Sequence, residues 1–329
     1  MSNAELHILR ELTAHEAEFV SGAGLARRLG MSRVAVWQHM EKLREQGFGF
    51  EAKRARGYRL VQRPASLHAV MIEALLKSRH RDFPLTVLDT VDSTNDEAAR
   101  QLAAGRPAPF VILARQQTRG RGRFGRTWHS GANGNLYASF AFRPHVTPQR
   151  MPNFTLWMGV NVCELIANFC TVQAGLKWPN DIVFAGRKAG GMLTEARIDT
   201  DQMRDLVFGL GLNVNSPRES WPGDLARRAT SLAEQTGRPL DLNRFAAALV
   251  GRIFLAYTQF IDGDHLKSFA EAWHHYDVLS GRPVTVLQGA SRIAGTAAGI
   301  DDAGSLLLRD SEGRTQRFSA GEVTLEKVG

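Results

Sequence analysis

The sequence predicts a mixed α/β protein with three domains, and three observations support this. Residues 1–63 contain three short helical patterns, each with a capping residue or glycine at an end. From residue 84 to about 276, apolar runs of strand length alternate with helical patterns. Residues 277–329 contain short alternating runs broken by Gly, Asp and Ser, which are typical of a small β-barrel. We therefore expect domains at residues 1–63, 64–276 and 277–329.

The composition is that of a soluble globular protein. Of 329 residues, 43% are hydrophobic and 22% are charged, and no apolar stretch approaches the ~20 residues that cross a bilayer. The first ten residues lack the basic start and apolar core of a signal peptide. We therefore expect a cytoplasmic protein without a membrane partner. Cys163 and Cys170 lie seven residues apart in a buried-helix pattern, which favours core packing over a disulfide or a metal site.

The N-terminal domain is basic and resembles a winged helix-turn-helix. Its helical patterns cover residues 4–12, 21–29 and 32–46, and two β-like runs follow around a basic turn at 53–57. Residues 1–63 hold eleven Lys or Arg against seven Asp or Glu, which is half of the chain's net charge of +8. This asymmetry indicates a polyanionic partner. The alternative is a helical interaction module in which the charges only form a solvated face.

The third helical pattern has the two faces that a DNA-recognition helix needs. Val36, Met40 and Leu43 have the spacing of a core face, whereas the side chains at positions 34, 38 and 42 (Val34, Gln38 and Lys42) project on the opposite side. In DNA binding, phosphate contacts supply affinity and contacts at base edges supply specificity. The expected DNA-binding residues are Arg33, Gln38 and Lys42 for the groove and Lys53, Arg54 and Arg56 for the backbone.

Residues 120–128 form the most distinctive segment, Gly-Arg-Gly-Arg-Phe-Gly-Arg-Thr-Trp, and follow a strand-like run at 110–114. Arginine presents a planar, permanently charged fork to phosphate or carboxylate, and glycine lets the backbone close on an anion. The segment therefore predicts a loop that closes over a phosphate. Taken alone, it also fits an RNA-binding RG tract or a solvated basic loop.

Three further polar groups lie at the ends of predicted strands. Residues 92–95 read Asp-Ser-Thr-Asn, in which Ser93 is a helix-capping candidate and its neighbours are free to hold a polar ligand. Residues 177–181, Lys-Trp-Pro-Asn-Asp, combine an aromatic ring, a proline and both signs of charge. Residues 187–195 and 208–215 contain glycines inside strand patterns, which indicate either a close approach to the backbone or a β-bulge.

In this order, the motifs resemble those of the biotin protein ligases. Together with the N-terminal helices, the chain is similar to their bifunctional type, which is also the repressor of the biotin operon. The resemblance spans nearly the whole chain and depends on four motifs together, at 92–95, 117–128, 177–181 with 188–191, and 209–213. It implies a central α/β biotin ligase catalytic domain and a C-terminal SH3-like β-barrel. The barrel would be a structural lid at least as much as a direct participant in catalysis.

The resemblance also implies an activity, its cofactors and its partners. Mg²⁺ and ATP would activate biotin to biotinyl-5′-adenylate, and biotin would then pass to a lysine of a biotin carboxyl carrier protein. The second partner would be operator DNA, bound by a homodimer that carries biotinyl-5′-adenylate. The alternatives are a ligand-sensing transcription factor without turnover and a lipoate protein ligase.

Individual residues receive roles from the same resemblance. The expected catalytic residues are Lys188, Arg121 and Arg123. The expected biotin-binding residues are Ser93, Thr94, Asn95, Gln117, Arg121, Gly122, Arg123 and Lys188. The expected nucleotide-binding residues are Arg126, Trp128 and Asn213, and Asp181 is the candidate for the metal. Phe124 stands where the family's loop often has another arginine, and Arg119 where it often has a small residue, so we assign neither a role.

This set of residues suits the implied chemistry. Attack of a carboxylate on an α-phosphate brings two anions together, so fixed cations and a metal must offset the repulsion and the charge that grows on pyrophosphate. The mixed anhydride must then be kept from water until the carrier lysine arrives, which is a task for a loop that orders on binding.

Overall fold

The computed structural model describes residues 3–76, 83–131, 134–289 and 291–325, and they form three units in chain order. The N-terminal unit contains three helices and a two-stranded hairpin: α1 Asn3–Ala14, α2 Gly22–Arg28, α3 Arg33–Glu45, β1 Gly49–Lys53 and β2 Gly57–Gln62. Ser21 and Ser32 cap α2 and α3 by accepting hydrogen bonds from backbone N–H groups. The predicted tri-helical unit with a hairpin is thus confirmed.

A short helix that the sequence analysis did not predict, α4 Ala69–Leu75, joins the first unit to the second. Val70, Met71 and Ala74 belong to the apolar cluster of the N-terminal helices, whereas Ile72 packs into the core of the central unit. Because α4 contributes to both cores, the boundary after residue 63 remains a prediction.

The central unit is built on a seven-stranded mixed sheet with the strand order β3-β4-β5-β9-β8-β7-β6. Neighbouring strands are antiparallel except for β3 and β4, which are parallel. The strands are β3 Leu85–Val91, β4 Phe110–Gln117, β5 Leu136–Phe142, β6 Gly175–Lys177, β7 Asp181–Phe184, β8 Arg187–Asp199 and β9 Gln202–Leu212.

Alternation along the strands divides the apolar side chains between the two faces of this sheet. In β4, Phe110 and Ile112 pack in a small cluster with α5, whereas Val111 and Leu113 join the main core with α6 and α9. The helices of this unit are α5 Thr94–Ala103, α6 Phe154–Cys170, α7 Leu225–Arg228, α8 Leu232–Thr236, α9 Leu242–Asp262 and α10 Phe269–Tyr276.

Two helices of the main core bear on earlier expectations. Cys163 and Cys170 lie buried in α6 as free thiols, and burial raises the pKa of both, in agreement with a packing role. Helix α9 is long and apolar enough to cross a membrane by length and composition, contrary to the expectation that no segment approaches this limit. Half of its most apolar window is buried against the rest of the protein, as in the core helix of a globular domain.

The C-terminal unit is a five-stranded antiparallel sheet with the order β13-β12-β11-β10-β14. Its strands are β10 Pro283–Gln288, β11 Ser291–Ile300, β12 Leu306–Arg309, β13 Thr315–Phe318 and β14 Glu322–Leu325, of which β14 was not predicted. Hydrogen bonds tie this sheet to the central unit: the indole of Trp178 donates to the Gly304 carbonyl at 2.9 Å, and the Asn153 amide donates to the Asp302 carbonyl at 2.7 Å.

Candidate active site and nucleic-acid interface

A cavity of about 500 Å³ lies where the central sheet meets the C-terminal unit. The parallel strands β3 and β4 end side by side, with Val91 opposite Gln117, so the segments that follow them meet at one edge of the sheet. The cavity brings together eleven of the twelve residues predicted for the central domain: Ser93, Thr94, Asn95, Gln117, Arg121, Gly122, Arg123, Arg126, Trp128, Asp181 and Lys188.

One end of the cavity is a buried network of uncharged polar groups. Gln117 Oε1 accepts hydrogen bonds from both the backbone N–H and the hydroxyl of Thr94, at 2.8 and 3.1 Å. Ser139 Oγ, which the sequence analysis missed, lies 2.6 Å from Asn95 Oδ1 and 2.8 Å from Thr94 Oγ1. Because these partners fix the side chains, this end presents ordered donors and acceptors to a small polar ligand.

The start of α5 is fixed by its capping residues. Ser93 Oγ accepts a hydrogen bond from the Asp96 N–H, as the capping prediction required. Asp92 accepts two hydrogen bonds from the Arg100 guanidinium, at 2.7 and 2.9 Å, and one from the Ser93 N–H. The bonds from Arg100, and after them the bond from Ser93, hold the pKa of the Asp92 carboxyl well below its usual range. The segment before α5 is therefore anchored by an ion pair outside the cavity.

The arginine–glycine segment forms a compact loop over the cavity. The Gly122 N–H donates to the Arg126 carbonyl at 2.7 Å, and the Trp128 N–H donates to the Gly120 carbonyl at 2.9 Å. Phe124 at its tip has a φ of 55° and is 67% exposed. A bulky side chain in this left-handed region is strained, so the tip is a point where the loop stores conformational energy.

Three predicted cations are each held by a carboxylate, and one of them, Arg121, lies at the polar end of the cavity, where it shares Glu195 with Asn95. Arg121 contacts both Asp96 and Glu195 at 2.7 Å, and Lys188 Nζ lies 2.6 Å from Asp181. Arg126 pairs with Glu322 of the C-terminal unit. A phosphate or carboxylate ligand would compete with these carboxylates for the same cations.

The fourth predicted cation, Arg123, is held mainly by uncharged groups. Its guanidinium lies 3.4 Å from Asn180 Oδ1 and 3.3 Å from the Gly321 carbonyl. Burial lowers its pKa, because the charged form has lost much of its hydration. This cost would be offset by an anion placed beside it.

Close approach explains the two glycines of β9 that face the site. A Cβ built on Gly209 would lie 2.2 Å from Asn95 Oδ1, and one on Gly211 would lie 2.5 Å from the Trp128 indole. These two glycines are therefore explained by close approach, whereas the β7–β8 pairing shifts its register beside Gly190, as a β-bulge does. The groups that approach are side chains of the site itself.

Asn213 is the predicted residue that the structure does not bring to the cavity wall. It is 5% exposed, and its amide donates to the Thr230 carbonyl at 3.0 Å. Its backbone N–H donates to the Ala189 carbonyl, next to Lys188. Asn213 therefore supports the strand that carries Lys188.

Sequence reasoning missed several residues of the site. Lys177 lines the cavity, and burial is the main cause that lowers the pKa of its ammonium group. The motif at 177–181 was identified from the sequence, but the sequence did not show that Lys177 is buried in the cavity wall. Arg228 at the end of α7 and residues 321–324 from the edge of the C-terminal sheet also line the cavity, and no sequence spacing connects them to the loop.

The described residues contain no group of three or more His, Cys, Asp or Glu side chains that could enclose a metal ion. Mg²⁺, however, is usually held by one or two carboxylates together with substrate phosphates. Asp181, which lines the cavity beside Lys188, supplies one such carboxylate. The donor set therefore fits Mg²⁺ that arrives with a nucleotide.

A second candidate site is the outer surface of the N-terminal unit. Arg33, Gln38 and Lys42 are exposed on α3, and the core-facing residues of this helix are buried, as predicted. The predicted backbone-contacting residues Lys53, Arg54 and Arg56 are exposed at the turn between β1 and β2. Lys53 and Arg56 lie 5.0 and 4.8 Å from the centre of the Phe19 ring, which groups these two charges on one side of the hairpin.

Family models match each of the three units. Residues 5–59 match an HTH domain, residues 87–213 the biotin/lipoate A/B protein ligase family, and residues 279–325 the biotin protein ligase C-terminal domain. The chain is 34% identical to the bifunctional ligase/repressor BirA of Bacillus spizizenii, over 92% of this chain and 93% of that one. It is 30% identical to the Escherichia coli protein of the same name, over 94% of each chain.

A solved structure shares most of this fold. The biotin protein ligase of Aquifex aeolicus, in complex with biotin and ATP, aligns with a TM-score of 0.62 at 29% identity. The alignment covers 74% of this chain and 99% of that one.

Proposed function

The chain belongs to the family of bifunctional biotin protein ligases and repressors, and on this premise we propose how its own residues perform both tasks. The observation that carries the proposal is the cavity, in which ordered uncharged polar groups lie beside Arg121, and Arg123, Arg126 and Lys188 supply three further cations. Biotin has the matching chemistry, because its head is an uncharged polar ring and its tail ends in a carboxylate.

In the first half-reaction, the biotin carboxylate attacks the α-phosphate of ATP and pyrophosphate leaves. Asn95, Thr94 and Gln117 would hold the biotin head, since their side chains are already fixed by Ser139 and by one another. Lys188 would lie between the biotin carboxylate and the α-phosphate, where its charge offsets the repulsion between the two anions. Ligand anions would take the place of Asp181 at this ammonium group.

The loop at 120–128 would close over the product. Arg121 and Arg123 would contact the adenylate, Arg126 and Trp128 would contact the nucleotide, and Gly122 would allow the backbone to approach it. Mg²⁺ held by Asp181 and the phosphates would neutralise charge on the leaving pyrophosphate. With water excluded, the acyl phosphate would persist until an amine attacks its carbonyl carbon.

In the second half-reaction, a lysine of a biotin carboxyl carrier protein would attack this carbon and AMP would leave, so that an amide bond replaces the anhydride. The amine loses a proton in this step. The described site offers no Ser/His/Asp or Cys/His nucleophile set, and the transfer needs none, because the adenylate is already activated.

As a repressor, the protein would bind operator DNA through α3 and the β1–β2 turn. We propose that it binds as a homodimer with biotinyl-5′-adenylate as corepressor, because the adenylate would order the loop at 120–128 and so favour one state of the protein. A twofold dimer reads an inverted repeat. Both activities would be carried out in the cytoplasm, where ATP, carrier and DNA are found together.

Replacing Lys188 tests the ligase mechanism. We expect Lys188→Ala to slow pyrophosphate release from ATP and biotin by about a hundredfold or more, because one preorganised charge is lost at the reacting atoms. Lys267→Ala is the matched control, since Lys267 is 80% exposed and pairs with Asp264. Normal pyrophosphate release by Lys188→Ala would contradict the assigned role.

Two further measurements separate the alternatives. A labelled carrier domain after incubation with labelled biotin and Mg-ATP excludes a sensor without turnover, and excess lipoate that blocks the labelling would indicate a lipoate ligase.

For the repressor, anisotropy titrations with DNA from upstream of the biotin genes should show tighter binding when biotin and ATP are both present. Equal affinity in their presence and absence would leave a ligase without corepressor control.

A further inference from the structure

Helix α3 exposes two large apolar side chains on the surface proposed to meet DNA. Val34 is 64% exposed and Trp37 is 50% exposed, and they lie one helical turn apart. Among the described residues, six large apolar side chains are exposed, and these are the two that share an α-helix. The core face of α3 is already filled by other residues, so neither side chain is needed to hold the domain together.

The charges around this patch point to a polyanionic partner. Arg33 and Lys42 are exposed at either end of the same helix. Glu41, which would repel phosphate, is paired with Arg44, and the second acidic residue of α3, Glu45, is exposed at the helix end away from Val34 and Trp37. An apolar patch inside a cationic surface is complementary to a partner that is anionic on the outside and has apolar groups in a groove.

The DNA major groove has this character. Its edges are phosphates, and the one apolar group displayed by the base pairs is the C5-methyl of thymine. The N-terminal residues of a recognition helix are those that reach base edges in helix-turn-helix proteins. Val34 and Trp37 lie in the first half of α3, behind the cap made by Ser32.

We infer that Trp37, with Val34 beside it, contacts thymine methyl groups and makes this protein select thymine in each half-site. The inference rests on the proposed DNA binding and deepens it. Trp37 is then a specificity-determining residue that makes no phosphate contact. Its replacement should change which bases are preferred and leave the salt dependence of binding unchanged.

The test uses the full-length protein with biotin and Mg-ATP. A random duplex library first gives the sequence that the wild type selects. Duplexes are then made in which each selected thymine is replaced by deoxyuridine, which lacks only the methyl group. We expect uracil at one or more positions to weaken wild-type binding about three- to tenfold, as loss of a buried methyl group predicts.

The Trp37→Ala variant completes the cycle. It should bind the thymine and uracil duplexes equally, whereas Trp37→Phe should keep part of the preference because it keeps an aromatic ring. Leu266→Ala is the control, because Leu266 is a 70% exposed apolar side chain outside the N-terminal unit and should leave the preference intact. An unchanged salt dependence of DNA binding by Trp37→Ala would show that the N-terminal unit of the variant is folded.

Two results would overturn the inference. The first is a wild-type protein that binds thymine and uracil duplexes equally at every selected position. The second is a thymine preference that survives unchanged in Trp37→Ala. A wild-type protein that selects no sequence at all would overturn both this inference and the proposed repressor function, whereas selection without a methyl effect would leave the repressor function standing.

Discussion

Adding one methyl group to either of two glycines in β9 should damage the two ends of the cavity separately. A Cβ on Gly209 would lie 2.2 Å from Asn95 Oδ1, whereas ordinary contact begins at 3.4 Å, so the Asn95 amide would have to move by about 1.2 Å. On Gly211 the added atom would lie 2.5 Å from the Trp128 indole. The two glycines are two residues apart on one strand and therefore face the same side of the sheet.

The size of the Gly209→Ala effect follows from the bonds that Asn95 would lose. Its oxygen lies 2.6 Å from Ser139 Oγ, and its amide donates to Glu195 at 2.8 Å. A hydrogen bond contributes about 1 kcal/mol net, and a misplaced buried partner costs about 1–3 kcal/mol. We therefore expect the KM for biotin to rise about tenfold to a hundredfold. Gly211→Ala should instead raise the KM for ATP, because Trp128 is proposed to lie on the nucleotide side.

The assay is the initial rate of pyrophosphate release, with biotin varied at saturating ATP and then ATP varied at saturating biotin. Each glycine variant is the control for the other, since both add one methyl group to the same strand. A double variant makes the test sharper. If Gly209→Ala acts by displacing Asn95, it should add little to the defect of Asn95→Ala.

Two results would refute this reasoning. In one, both glycine variants raise the KM of the same substrate, which would mean that Asn95 and Trp128 do not hold different ligands. In the other, the effects of Gly209→Ala and Asn95→Ala on the KM for biotin add fully in the double variant. The added methyl group would then act on a part of the sheet other than Asn95. Thermal unfolding midpoints of the single variants would show whether the sheet itself is damaged.

Two further predictions concern the loop and the segment before α5. Arg123→Gly should let the adenylate escape, so that lysines of a bystander protein such as albumin become biotinylated. A streptavidin blot would detect this labelling. Labelling of the carrier alone, at the normal rate, would contradict the proposed closing role of the loop. Asp92→Asn should lower the thermal midpoint most at neutral pH. The Asp92 carboxyl has a lowered pKa in the folded protein. The ion pair therefore stabilises the fold fully above the unfolded pKa of about 3.9, and this stabilisation is lost as the pH falls from that value through the folded pKa. A difference between wild type and Asp92→Asn that stays constant from pH 7 to pH 3 would exclude this ion pair as the cause.

Much of this architecture was predictable because it follows from periodicity. The three N-terminal helices have apolar residues at helical spacing and serine caps, and these signals are local. Helix α4 has seven residues, like α2, but it begins after His68 and so lacks the serine that marks the start of α2. Strand β14 has four residues, like the predicted β12 and β13, so its length does not explain why it was missed. Whether such a short segment is ordered depends on the surfaces that it meets after the chain has folded.

The site was predictable to the extent that its residues are grouped along the chain. The loop at 120–128 combines many arginines and glycines in a few positions. Ser139 and Arg228, by contrast, are single residues in otherwise ordinary segments, and only the fold brings them to the cavity or to its network. Glycines inside strands indicated that something approaches the backbone, but the identity of the approaching side chains, Asn95 and Trp128, required the packing of α5 and the loop on β9.

The sharing of α4 between two cores has a consequence for the way the protein unfolds. Met71 is fully buried among the N-terminal helices, and Ile72 beside it is fully buried in the central core. If either core melts, the helix loses one of its two supporting surfaces, and the other core loses the side chains that α4 supplied. The N-terminal and central units are therefore expected to melt in a single cooperative transition in calorimetry. Removal of residues 1–63 would leave Val70, Met71 and Ala74 exposed to solvent. An isolated ligase fragment would therefore tend to aggregate unless these positions were made polar.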